Sequence, residues 1–142
     1  MTGLIFDTHA HYSAHAFDAD RFALLDSLPA RGVVGVCEQA THSGDAPRVL
    51  ELAHRYPWVV AAIGIHPESL LAPEDCGTDG PAPTVSVYGG DWAAEMRVLA
   101  PYYDDPKVVA VGECGLDYHW PVPKDAQLAM FEAHIRLALE LD

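Results

Sequence analysis

Basic residues are scarce: 8 Lys and Arg stand against 21 Asp and Glu, a net charge of −13. A protein that grips nucleic acid through a broad basic face gains affinity by replacing phosphate counterions with Lys and Arg. This composition excludes that mode, so a phosphate-bearing ligand would have to be held locally, by a metal or a few placed donors. Cysteine is equally sparse, and Cys37, Cys76 and Cys114 stand far apart with none in a CxxC pair. An odd, scattered set excludes a disulfide framework and points to a reducing compartment. No run approaches the ~18 apolar residues of a membrane span, and the opening MTGLIFDTHAHY lacks the basic segment of a signal peptide. The expectation is a soluble, cytoplasmic protein with no membrane partner.

What is present is a core-forming chain. Half of the 142 residues are hydrophobic, enough for one globular domain and far from the composition of a disordered chain. Eight histidines give the first hint of a metal site.

Short β-branched runs alternate with longer stretches of helical period. Leu4-Ile5-Phe6 reads as a strand leading into Asp7-Thr8-His9-Ala10-His11. Asp18 stands as a cap for a helix carrying Phe22, Leu24, Leu25 and Leu28, which stops near Pro29 and Gly32. Val33 to Cys37 is a second strand, and Asp45 with Pro47 starts a helix that Tyr56-Pro57 ends. Trp58 to Ile63 is a third strand, running into Gly64-Ile65-His66-Pro67. A loop rich in Pro and Gly follows over about 71–90, long enough to read as either functional or disordered. Then come a helix over about Asp91 to Tyr103, a fourth strand over Lys107 to Val111, and a helix from Lys124. In that last helix Leu128, Phe131, Ile135 and Leu139 recur at spacings of three and four. Strands apolar nearly throughout imply a sheet covered on both faces. Four strand-then-helix units imply right-handed crossovers and a parallel sheet, an α/β fold.

The polar residues gather at the carboxyl ends of these strands, where α/β proteins collect their ligands. Asp7, His9 and His11 follow the first strand, His66 the third, Glu113 and Asp117 the fourth. His9 and His11, at i and i+2 on extended chain, project to the same side. Two imidazoles on one face are half of a divalent-metal site, although HxH alone reads as well as an inert strand-end turn. Asp7 shares their parity and could orient a ring. Glu113 ends an apolar run, where a carboxylate is costly unless it is paired or bound to a cation, and it could bridge two ions. His66 as a lone histidine reads more readily as structural, and Asp117 more readily as a cap. His42, His54 and His134 read as surface residues. His15 and His119 fall near the strand ends without further support. Cys37 and Cys114 read as packing residues, and Gly112-Glu113-Cys114-Gly115 lacks the lysine and the spacing of a P-loop.

Taken together, FDTHAHY at 6–12, AFDADR at 16–21, GIHPE at 64–68 and VGECGLDYHW at 111–120 resemble the TatD family of metal-dependent deoxyribonucleases. The stretch PVPKDAQLAMFEAHIRLALELD at 121–142 resembles the family's fourth helix. The resemblance covers nearly the whole chain apart from the loop at 71–90. It implies a TIM-like (β/α) barrel, here only about the first four βα units, and a phosphodiesterase acting on nucleic-acid ends, with DNA or another phosphodiester as substrate and one or two divalent ions, two being the expected number, of Mg, Mn or Zn. It places the family's HxH ligands on His9 and His11 and its metal-bridging, catalytic glutamate on Glu113. Asp7, His66 and Asp117 are left as groups that orient ligands or touch substrate.

A full (β/α)₈ barrel needs ~250 residues, and the family's further ligands, two histidines and an aspartate, would lie beyond Asp142. The resemblance therefore makes residues 1–142 a single domain, the truncated N-terminal half of such a barrel. Three readings stay open on sequence alone. One is a nuclease completed by a missing C-terminal half or by self-association. Another is a non-catalytic half-barrel that serves as an assembly partner. The last is an amidohydrolase cleaving a C–N bond, which glutamate rather than lysine at the fourth strand disfavours.

Overall fold

The computed structural model describes residues 3–71 and 86–142; Cys76 and most of the loop read at 71–90 lie outside the described residues. Strands β1 (Ile5–Ala10), β2 (Val33–Gln39), β3 (Val59–Ile63) and β4 (Val108–Val111) form one parallel sheet in the order β1-β2-β3-β4. Helices α1 (Arg21–Ser27), α2 (Ala46–Arg55), α3 (Trp92–Leu99) and α4 (Lys124–Leu141) follow the four strands in turn. Each strand pairs with the next in sequence, as in a (β/α) barrel; a doubly wound sheet would reverse its order partway.

The core forms where β2 and β3 are covered by helices. Val36, Val59, Ala61 and Ile63 from the two central strands pack with Val49, Leu52 and Ala53 from α2, Leu25 from α1, Leu99 from α3 and Met130 from α4. Cover on both faces, expected for all strands, holds only at the centre. On the outer strands Phe6 is 53% exposed and Val109 59%, because β1 and β4 each have a strand on one side only.

Several local expectations are corrected. Asp18 does not cap α1: Asp20 holds that position, and the Asp18 carboxylate instead takes Arg21, Arg48 and His15. The helix expected from 91 to 103 ends at Leu99 and continues as a 3-10 turn over Ala100–Asp104, where Pro101 cannot donate to an α-helical ladder. Its start is as read, with the Asp91 side chain accepting from Ala94 N–H at 2.9 Å.

In α4 the helix is present but its buried face is different. Leu128, Ile135 and Leu139 are exposed, Leu139 at 74%, while Gln127, Met130 and His134 are buried. The reason lies in backbone bonding, since the loops beneath α4 carry polar groups that need partners. Gln127 accepts from Asp117 N–H and donates to the carbonyls of Asp117 and Val122. His134 accepts from Ile65 N–H at 3.1 Å and donates to Met130 O at 2.8 Å. His134, read as a surface residue, is thus only 1% exposed.

Candidate metal centre

The carboxyl ends of the strands converge on a cavity of about 530 Å³. β1 delivers the HxH pair as expected from its period. The His9 and His11 Nε2 atoms stand 3.1 Å apart. Glu113, just past β4, places Oε2 3.2 Å from His11 Nε2 and 3.4 Å from His9 Nε2. His66 follows β3, its Nε2 3.7 Å from Glu113 Oε1.

Two ligand atoms 2.0–2.1 Å from a shared ion, at tetrahedral or octahedral angles, stand about 2.9–3.4 Å apart. The three separations within His9, His11 and Glu113 fall in that range, so the donor set fits a divalent cation. Among the described residues this is the one cluster of three or more His, Cys, Asp or Glu side chains with ligand atoms so close together. The charges agree. The hydrogen bond to Glu113 raises the His11 imidazole above its ordinary value, against the lowering effect of burial. The same bond holds the Glu113 carboxyl below the usual carboxylate range. Each group thus favours a positive charge between them, which a proton or a metal ion can supply.

His66 has a different character. Its Nδ1 accepts from Glu68 N–H at 3.2 Å, which leaves the ring proton on Nε2, the nitrogen facing Glu113. In that tautomer Nε2 is a donor and no metal ligand. Asp7 sits beside the pair, but its carboxylate accepts from the backbone N–H of His9 at 3.2 Å rather than from a ring. Asp117 turns away to accept from His119 N–H at 2.8 Å; it caps a turn and does not line the cavity.

His15, read as near the strand ends, lines the cavity. So do residues the sequence did not place there: His42, read as surface, is half-buried and lines it, together with Asp45 and Arg48. Asp45, placed at the start of α2, accepts from Thr41 N–H and Oγ–H and from His42 N–H. Those bonds fix the turn that forms one wall. Beneath the cluster, Glu38 near the end of β2 is fully buried and accepts from Ser13 N–H. Its only sequence signal is a carboxylate inside the apolar run VVGVCEQ. Cys37 is buried and Cys114 half-buried, and burial pushes both thiols up, as packing residues require.

A parallel strand order with a His, His, Glu cluster at the carboxyl ends is an α/β scaffold with a candidate divalent-metal site. Residues 6–142 match the family model described as TatD related DNase, and the chain belongs to that family. It is 32% identical to the uncharacterized metal-dependent hydrolase YabD of Bacillus subtilis, over 98% of this chain and 48% of the relative. It is 30% identical to the 3'-5' ssDNA/RNA exonuclease TatD of Salmonella typhimurium, over 96% and 46% of the two chains. The crystal structure of YjjV, a TatD homologue of Escherichia coli, superposes with a TM-score of 0.76 at 28% identity, covering 97% of this chain and 48% of that one. The chain therefore spans about half the length of the curated relatives it matches, and its fold is four βα units of a TIM-like barrel. Membership of a metal-dependent hydrolase family implies divalent metal. No helix among the described residues is long and apolar enough to cross a membrane.

Proposed function

We propose that this chain carries the metal-ligating part of a hydrolase that cleaves phosphodiester bonds in nucleic acid, with DNA as substrate. The observation that carries this reading is the meeting of His9, His11 and Glu113 within 3.1–3.4 Å of one another. His9 and His11 would hold one divalent ion, and Glu113 has a second oxygen with which to share another, so two ions of Mg, Mn or Zn suit the site. Such ions supply Lewis acidity toward the phosphate and activate water as the nucleophile.

The chain's own groups account for the rest. Glu68 N–H keeps the His66 proton on Nε2, so His66 can donate to a phosphate oxygen held beside Glu113. Asp7 fixes the peptide of His9, which sets the direction of that ring. With so few cations on the chain, DNA is held through the metal end of the cavity and not by a broad basic face.

A C–N hydrolase that bridges its metals with a lysine is disfavoured by the place of Lys107. Its ammonium bonds the carbonyls of Tyr56, Pro57 and Val59 at the far end of the sheet. In this reading residues 1–142 are half of one barrel domain and act in the cytoplasm. The open edges of β1 and β4 then pair with a C-terminal half, which brings the remaining ligands, or with a second copy.

The test is hydrolysis of a single-stranded oligonucleotide and of bis(p-nitrophenyl) phosphate with Mn²⁺, Mg²⁺ or Zn²⁺, by the full natural chain. Glu113→Gln should lower turnover by orders of magnitude without unfolding the protein. Equal turnover in the variant sinks the reading.

A further inference from the structure

Glu38 is a buried carboxylate that the chemistry described above does not use. It is 0% exposed, and its neighbours in register are Ala10 on β1 and Ala61 on β3. Oε1 accepts from the backbone N–H of Ser13, two residues beyond His11. Oε2 is buried and has no hydrogen-bond partner among the described residues. The ion pairs formed by the described residues all involve other groups. Such a group costs stability, because burial removes water from a charge and one of its two oxygens gains no partner in return. Gln would keep the bond to Ser13 and remove the buried charge, which is the larger part of that cost, so the charge needs a separate explanation.

We propose that Glu38 is a positioning residue of the metal centre: its clamp on Ser13 N–H holds the turn after His11, and its uncompensated negative charge strengthens the hold of His11 on a divalent cation. The inference rests on the proposed metal site at His9, His11 and Glu113. The geometry supports both halves. The clamp grips the segment that continues directly from the second ligand. Glu38 pairs in register with Ala10, the residue before His11, so its charge lies beside the ligand, and from a buried position it is screened less than it would be in water. A bound cation thus supplies the counter-charge that Glu38 otherwise lacks, and stability is given up in the metal-free protein in return for affinity in the loaded one.

This trade-off makes the test specific, because the two effects have opposite signs. Zn²⁺ and Mn²⁺ affinities are measured by titration calorimetry, and thermal midpoints of the metal-free chain by circular dichroism. Glu38→Gln should weaken metal binding about tenfold or more while raising the metal-free midpoint by about 3 °C. Glu38→Asp, which keeps the charge on a shorter side chain, should retain affinity within about threefold and lower the midpoint.

Unchanged affinity in Glu38→Gln overturns the proposal. So does a parallel loss of affinity and stability, which is the mark of a purely structural residue, or an equal loss of affinity in both variants. If the unmutated chain binds neither metal, the metal-site reading itself has failed. If it binds and Glu38→Gln binds equally well, only the role of Glu38 has failed.

Discussion

His11 and Glu113 follow the two outermost strands of the sheet, yet His11 Nε2 stands 3.2 Å from Glu113 Oε2. The carboxyl ends of β1 and β4 are thus drawn together over those of β2 and β3. One condition for this is visible at Gly64, just past β3. A Cβ there would lie 2.7 Å from Glu113 O and 2.8 Å from Gly112 Cα, closer than real Cβ atoms approach backbone.

Gly64→Ala should therefore push the Gly112-Glu113 peptide away from its neighbours and misplace the Glu113 carboxylate. The expected outcome is a metal affinity at least about tenfold weaker, together with lower stability of about 1–3 kcal/mol for overpacking. Gly35→Ala is the control. Its Cβ would meet only the Phe6 ring, at 2.4 Å, and that exposed side chain can swing aside. Calorimetric metal titration of both variants checks the contrast, and equal affinities would show that close approach at Gly64 does not set the site.

Protons and metal compete for His11. Because Glu113 raises the His11 imidazole above its ordinary value, His11 holds its proton to higher pH than a free histidine. Metal affinity should fall as pH drops below that raised value, by about tenfold per pH unit for each proton displaced, and level off above it. Titrations from pH 5.5 to 8 measure the slope, and proton release follows from repeating them in buffers of different ionisation heat. An affinity flat across that range would remove His11 from the ligand set.

A second histidine is shifted in the opposite direction and governs stability. His134 is buried with Nε2 accepting from Ile65 N–H, and burial lowers its pKa below the ordinary 6.5. The unfolded chain therefore takes up a proton near pH 6.5 that the folded chain refuses. The stabilising contribution of neutral His134 is present above that pH and is lost as pH falls toward the depressed folded value, by at most about 1.4 kcal/mol per pH unit. His134→Gln, whose amide oxygen can accept from Ile65 N–H, should flatten the fall in urea midpoint between pH 7 and 5 relative to the parent. Identical pH slopes would show that His134 titrates alike in both states.

Much of the architecture was legible in sequence. β2, β3 and β4 lie within one or two residues of their expected bounds, because apolar β-branched runs bracketed by Pro, Gly and Asp leave little choice of backbone, while β1 runs on four residues past Phe6 to Ala10. The strand-end placement of His9, His11 and Glu113 was also legible, since period-two projection and strand-end position follow from local geometry alone. The buried face of α4 was not. Leu128, Ile135 and Leu139 form the better apolar stripe, yet Gln127 and His134 are buried because the loops beneath them offer backbone groups to be paired. Asp18 was misread for a similar reason: Arg21 is a local partner three residues on, but Arg48 comes beside it only in the folded chain.

By itself, then, the sequence determined an alternating parallel α/β chain, a histidine pair on one face of a strand end and an acidic surplus that rules out a basic binding face. These are consequences of side-chain period and charge, which need no knowledge of distant contacts. Only the tertiary structure decided that Glu113 closes on both histidines, that His66 presents a donor instead of a ligand, and that Glu38 lies buried and half-paired beneath them. Such relations depend on how strand ends far apart in the chain are brought together, and on which polar groups are cut off from water once they are.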